Sequence, residues 1–365
     1  MRSTLMWRVA LHDAALAVLA IAPAVPIPAP SPLPPALSPL PRILLSFAIA
    51  VTLLALLMLW GDVDPATLAA AWSRIPATTL LAASAIYAVQ YLLRAARFRI
   101  LFPPSSRPTF AATLAVTSAY GMATLILPAK LGEATFPVYL HRTASTPPSE
   151  ALAALVLARL LDFASLFLGF GLASMTLSAT GAQPDPAWLA PLGAALVLAA
   201  LLALALAKRG DLLVRVSTGA ARRLGLARFR IGRRLIERID TLATALRASA
   251  ADRRLLHATL LSFPMWLCVF AFCAVLGRGF GLPDSIDFTT ASFGASLAIL
   301  TSLVPLSAFA NFGTLEAGWV LGFGIFGVPR ELALATGTGL HLVQLALAVA
   351  FGLLGHLGMG LVGRR

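Results

Sequence analysis

Apolar runs of roughly span length, separated by short polar breaks, set the pattern of this chain. A helix needs about 20 apolar residues to cross the hydrocarbon of a bilayer. Runs that meet or approach that length fall at 43–60, 79–101, 110–127, 150–175, 187–208, 255–276, 288–306 and 331–360. Two shorter apolar pieces, 129–141 and 313–328, follow directly after spans. They read as half-helices, re-entrant segments or tilted crossings. The pattern predicts an all-α fold: a polytopic integral membrane helix bundle of about eight to ten membrane segments.

The polar breaks suggest an internal echo. Residues 127–142 read LPAKLGEATFPVYLHR, after the two-helix hairpin 79–127. Residues 304–319 read VPLSAFANFGTLEAGW, after the hairpin 255–306. Each motif opens on a proline that ends a span, Pro128 or Pro305, and then reaches a glycine and a glutamate. In the first these are Gly132 and Glu133, in the second Gly313 and Glu316. Proline breaks the incoming helix, and glycine at 132 is expected to permit unusual backbone geometry. A long helix opening on Glu150 or Glu331 follows each motif. The expected organisation is a Pro-rich tail at 1–41, then a transmembrane domain at 42–365. Within it lie repeat 1 at about 79–175, a basic loop at 208–254 and repeat 2 at about 255–360, with the repeats inverted.

Composition agrees: 59% of residues are hydrophobic and only 12% charged, against about 25% charged in soluble domains. Lys+Arg number 28 against 15 Asp+Glu. A nucleic-acid binder would carry such a surplus on a soluble fold, which this pattern lacks, so no nucleic-acid partner is expected. The surplus gathers instead in loops: Arg94, Arg97, Arg99 and Arg107 near one turn, Arg142 in the next, and thirteen Lys/Arg against four acids in 208–254. Loops rich in Lys/Arg face the cytoplasm, which predicts a multi-pass plasma (inner) membrane protein. In 208–254 arginines interleave with apolar residues (Arg222, Leu224, Phe229, Arg233, Leu235), the pattern of an amphipathic helix lying on an anionic leaflet.

Nine prolines between 23 and 41 forbid a regular helix there. The stretch before them has two readings, a disordered tail or a signal-peptide apolar region. Cys268 and Cys273 stand five apart and share no helix face, so neither a disulfide nor a metal role is expected of them. No metal-ligand spacing, cofactor motif or Ser–His–acid arrangement stands out, and no enzyme is expected.

Charges at membrane depth are costly and are functional candidates. Arg159 lies nine residues into its span, ~13 Å along it, with Asp162 one turn further on the same face. Lys130 is a compact point charge suited to a phosphate. Glu133 has three readings: a cap for freed backbone amides, a partner of Lys130, or a proton carrier. Glu316 is either a cap or a coupling group. His341 and Gln344 lie one turn apart in the last long helix; a buried histidine bonded to a neighbouring carbonyl competes with proton handling.

Four stretches, YLLRAARFRILF (91–102), LPAKLGE (127–133), ALVLARLLDF (154–163) and the 304–319 block, together resemble the membrane region of the lysylphosphatidylglycerol synthase family. The likeness covers roughly 43–360. It implies a flippase-like domain that moves lipids, with Arg94, Arg97, Lys130, Gly132, Glu133, Arg159, Asp162 and Glu316 as the marked positions. Arg94, Arg97, Lys130 and Arg159 would bind substrate. In bifunctional relatives such a region precedes a soluble aminoacyl-transferase domain. Here the sequence reaches Arg365 directly after its last span, which implies lipid movement rather than synthesis, with any synthesising enzyme a separate partner. Stand-alone relatives are linked to glycolipids, polyprenyl-linked sugars and hopanoids. Relatives often carry an arginine just before the second glutamate, where Leu315 stands here, so the first motif is the better candidate for an anion. Two other classes remain open, a membrane-embedded lipid-modifying transferase or an accessory subunit of one, and a secondary transporter of a small solute.

Overall fold

The computed structural model describes residues 75–181, 187–209, 243–248, 252–303 and 309–362, with Ser73, Gly219, Arg223, Thr241 and Ala250, but not the side chains of 128–130, 252 and 309. The tail 1–41, the span expected at 43–60, Pro305 and most of the basic loop lie outside the described residues, as do the side chains of Pro128 and Lys130.

The described residues form helices and no strand: α1 (Ala77–Leu101), α2 (Phe110–Ile126), a 3-10 turn (Pro128–Ala134) leading into α3 (Thr135–Ala144), α4 (Pro148–Ala179), α5 (Leu189–Lys208), α6 (Asp252–Gly279), α7 (Phe288–Ser302), a 3-10 turn (Phe309–Asn311), α8 (Thr314–Gly324) and α9 (Arg330–Val362). Five of these, α1, α4, α5, α6 and α9, are long and apolar enough to cross a membrane. The protein is an all-α, polytopic membrane helix bundle.

The order repeats. A long helix, a short helix, a 3-10 turn with a second short helix, and a very long helix occur as α1–α4 and again as α6–α9. Local signals repeat as well. The short helices are N-capped by Thr109, which accepts from the Ala112 N–H at 3.2 Å, and by Asp287, which accepts from the Thr290 N–H at 2.7 Å. The long helices that follow open behind Pro147 and Pro329.

Contacts along α1 and α6 fix their relative direction. Gly279 meets Thr79 at one end, Tyr87 and Phe272 have ring centroids 5.6 Å apart midway, and Arg97 reaches Ser262 at the other end. Sequence order rises along one helix as it falls along the other, so these matching helices are antiparallel. The two units are therefore inverted with respect to each other. α2 and α9 are also antiparallel and close together, with Gly352 against Met122 and Gly355 against Ala115 and Ala119.

The short helices turn back rather than cross. α2 has 17 residues and α7 has 15, ~25 and ~22 Å long, short of the ~30 Å hydrocarbon thickness. Beyond each the chain reverses: Tyr120 meets Glu133, and Gly318 packs on Ala298 and Thr301. The pieces at 129–141 and 313–328 are thus the returning arms of re-entrant hairpins, which enter from opposite ends of the bundle because the units are inverted. The tip at 309–311 packs against α2.

Gly132 is needed for a different reason from the one its neighbouring prolines suggest. Its φ is not among the positive ones. A Cβ there would overlap the α2 backbone at Ala123 and Thr124, so close approach and not conformational freedom selects glycine. At the second tip the backbone does bend unusually: Ala310, Asn311 and Gly313 have φ of 54, 59 and 86°. Only the last of these is a glycine.

Most basic residues at the helix ends share one end of the bundle, with Arg278 and Arg330 at the other. Phe98 and Leu101 of α1, Phe102 just beyond it, Leu140 of α3, Ala151 of α4, Ala207 of α5, Leu246, and Leu255 of α6 form one core cluster, with Met359 of α9 against it. A Ser106–Glu150 hydrogen bond ties the α1–α2 loop to the start of α4 there. Arg99, Arg107, Arg142, Lys208, Arg209 and Arg253 lie at or beside these helix ends.

A tightly packed α2–α9 contact gives a direct test. A Cβ on Gly355 would sit 2.6 Å from the Ala119 nitrogen, whereas Gly360 has nothing within 4 Å. Gly355→Ala is expected to lower stability by about 1–3 kcal/mol through overpacking. Gly360→Ala is expected to be neutral or slightly stabilising. Thermal unfolding of the two variants in detergent distinguishes them.

Candidate functional site

Residues of both hairpins, Glu133 of the first and Asn311 of the second, line one cavity of about 680 Å³. Arg94, Tyr120, Glu133, Arg159, Asp162 and Trp266 line it from the first unit and α6; Asn311, Leu315 and Gln344 line it from the second.

A row of alternating charges runs along one wall. Arg159 Nη2 donates to Glu133 Oε1 at 2.5 Å and to the Tyr120 hydroxyl at 2.5 Å. The Tyr120 hydroxyl donates to Glu133 Oε2 at 2.6 Å. On the other side Arg159 Nη1 donates to Asp162 Oδ2 at 3.3 Å. Asp162 Oδ1 accepts from Arg97 Nη1 at 2.6 Å and from Trp266 Nε1 at 3.2 Å, and Arg97 Nη1 also reaches Ser262 Oγ at 3.2 Å. Five elements thus meet through two acids: the re-entrant turn, α2, α4, α1 and α6.

Exposure divides the row by role. The Arg97 side chain is 1% exposed and that of Asp162 14%, whereas Arg159 is 41% and Glu133 30% exposed. Arg97 lies behind Asp162, outside the cavity lining, where a buried charge needs its partner. It fixes Asp162, which in turn orients Arg159. Arg94 does line the cavity, with its guanidinium 5.3 Å from the Tyr91 ring centroid and no carboxylate partner among the described residues. Among the described side chains, three arginines against two carboxylates leave Arg94 beside the cavity without a carboxylate.

Several sequence expectations find their place here. Arg159 and Asp162 pair one turn apart, and Arg94 stands at the cavity. Of the three readings of Glu133, the described contacts are with Arg159 and Tyr120. Glu316 lies elsewhere: its Oε2 accepts the Gly313 N–H at 2.7 Å, capping α8, and its Oε1 pairs with His341 Nδ1 at 2.7 Å. His341 is therefore bonded to a carboxylate and not to a backbone carbonyl. Gln344, one turn on, faces the cavity. Cys268 and Cys273 are free thiols.

Tyr120 and Trp266 escaped sequence reasoning. Tyr120 stands in a run of small residues with no charged neighbour, and only the fold-back of the hairpin brings it to Glu133 across 13 residues. Trp266 is 104 residues from Asp162. The nearby Pro264, inside α6, was the one local signal.

The pairing of Arg97 with Asp162 makes a strong prediction. Asp162→Ala strands a buried guanidinium and is expected to cost about 3–5 kcal/mol. Arg97→Met combined with Asp162→Leu is expected to recover most of that loss. Thermal unfolding of the single and double variants in detergent measures both values.

No protein in the curated set matches the chain. The family described as lysylphosphatidylglycerol synthase TM region matches residues 43–352. That match takes in both inverted units up to α9, including every residue of the charged row. The chain belongs to the lysylphosphatidylglycerol synthase TM region family.

Proposed function

We propose that the protein moves an anionic-headgroup lipid between the leaflets of a membrane by alternating access. The observation that carries this reading is Arg94, without a carboxylate partner among the described residues, at a cavity whose lining includes Phe163 and Leu303, both exposed large apolar side chains. The cavity volume falls in the range that binds small molecules. A phosphate or similar headgroup enters it and meets Arg94 and Arg159, while the acyl chains stay outside against the apolar edge. Chemistry on the headgroup is not required of this site.

The inverted units supply the motion. Glu133 and Arg159 are open to the cavity, while their counterparts in the second unit are sealed. Exchanging the two conformations opens the opposite side, as inverted repeats do around a fixed midplane site. Broken backbone at the hairpin tips is tolerated at that depth because it lines the cavity. The end that gathers Arg99, Arg107, Arg142, Lys208, Arg209 and Arg253 faces the cytoplasm in this reading, and the arginine-rich loop before α6 rests on the anionic leaflet.

The test is headgroup accessibility in proteoliposomes, with a panel of head-labelled lipids quenched by an impermeant reductant. Anionic lipids are expected to equilibrate faster than in empty liposomes. Arg94→Ala is expected to slow them about tenfold or more, the worth of a hydrogen bond to a charged group. Rates no faster than empty liposomes for every lipid would sink the reading. An unchanged rate in Arg94→Ala would instead remove Arg94 from the site.

A further inference from the structure

The second unit buries a polar pair that the cavity does not reach. Glu316 and His341 are both 0% exposed, with Oε1 and Nδ1 2.7 Å apart. Phe312 stacks on the imidazole, ring centroids 4.3 Å apart. His341 Nε2 is buried and has no hydrogen-bond partner among the described residues. A buried polar nitrogen without a partner is costly, so its retention calls for a reason.

The inverted repeat supplies one. Glu316 stands 183 residues after Glu133, and His341 stands 182 after Arg159, as Gln344 does after Asp162. The two pairs occupy matching places, each a glutamate beside its re-entrant turn bonded to the very long helix that follows. What differs is the cation. A guanidinium keeps its charge at any physiological pH, whereas an imidazole exchanges a proton. The first unit therefore holds a fixed positive charge and the second a removable one.

We infer that the Glu316–His341 pair is a proton site: it holds one proton while sealed and releases it when the second unit opens to water. With that proton the pair is glutamate and imidazolium, electrically neutral as a whole. Without it a net negative charge remains, which burial disfavours and hydration allows. Nδ1 is committed to the carboxylate, so Nε2 is the atom left to exchange the proton with water. Coupling to lipid movement rests on the translocation reading above, and sends one proton through the protein per lipid.

Few other ionisable groups compete for this role. Among the elements packed on α8 and α9, α7 has none and α2 has only Tyr120, which is engaged with Glu133 and Arg159. α6 brings Cys268 and Cys273 in its apolar stretch, with Arg253, Arg254 and His257 near one end and Arg278 near the other. α3 brings Tyr139, His141 and Arg142, and α1 sets Tyr87 and Tyr91 against Phe351 of α9, with Arg94 and Arg97 further along it. On α9 itself Arg330, Glu331 and His356 are the others. Among the described residues, Glu316 and His341 bond only to each other and to the Gly313 N–H.

Two measurements on the full chain test the inference. In lipid nanodiscs, histidine nitrogen NMR with His341→Gln as the assignment control follows the ring directly. A His341 imidazolium signal that converts to neutral imidazole as the pH is raised, and that Glu316→Gln removes, supports the site. A ring that stays neutral throughout the wild-type titration overturns it, a result that needs no variant to fold.

In the second measurement, phosphatidylcholine/phosphatidylglycerol liposomes carry a head-labelled phosphatidylethanolamine, anionic because its amine is blocked. A pH difference of one unit is expected to bias wild-type translocation by up to about tenfold, the limit for one proton per lipid. His341→Gln is expected to show no bias. Lipid movement that ignores the gradient in the wild type overturns the coupling. A titrating His341 with no lipid movement above empty liposomes sinks the translocation reading and leaves the proton site standing.

Discussion

Neutralisation of charge at membrane depth is the constraint on which the rest of this structure hangs. Arg97 and Arg159 cannot shed their protons, so each must find an anion inside the bundle. Asp162 serves both, and Glu133 serves Arg159 a second time. Because Arg97 belongs to α1, Asp162 and Arg159 to α4, and Glu133 to the re-entrant turn, satisfying these charges locks three elements together. Trp266 and Ser262 add α6 through their own hydrogen bonds. The same row that organises the first unit also forms the cavity wall.

Backbone satisfaction imposes the second condition. Helix interruption at Pro128 leaves peptide groups without helical partners, which lipid cannot supply. The chain answers with the 3-10 turn Pro128–Ala134 and with Thr135, whose backbone N–H and hydroxyl both donate to the Gly132 carbonyl, the hydroxyl at 2.7 Å. The second hairpin uses a carboxylate for the same purpose, with Glu316 accepting the Gly313 N–H. Glu316 thus serves as a cap through one oxygen and as a partner of His341 through the other.

Inversion gives these two solutions different fates in one structure. The Glu133–Arg159 pair is wetted by the cavity, whereas Glu316–His341 is closed over by Phe312. The asymmetry is one of chemistry as well as exposure, since arginine is replaced by histidine and Asp162 by Gln344 at matching places. A cavity beside fixed positive charge and a sealed, protonatable pair are thus set on opposite sides of the pseudo-two-fold relation.

Sequence alone determined the class of fold and the position of most spans, because hydrocarbon thickness translates directly into the length of an apolar run. It also located the proline-terminated motifs and the Arg159–Asp162 pair, since helical periodicity places residues three apart on one face. What it left open were the partners of Glu133, Glu316 and His341. Tyr120 reaches Glu133 through a reversal of the chain, His341 reaches Glu316 across 25 residues, and Arg97 reaches Asp162 across 65. No local pattern encodes such distances. They were decided by the tertiary structure, through the antiparallel packing of α1 on α6 and the fold-back of each short helix, because a buried charge is satisfied by whatever the packed helices bring within hydrogen-bonding reach.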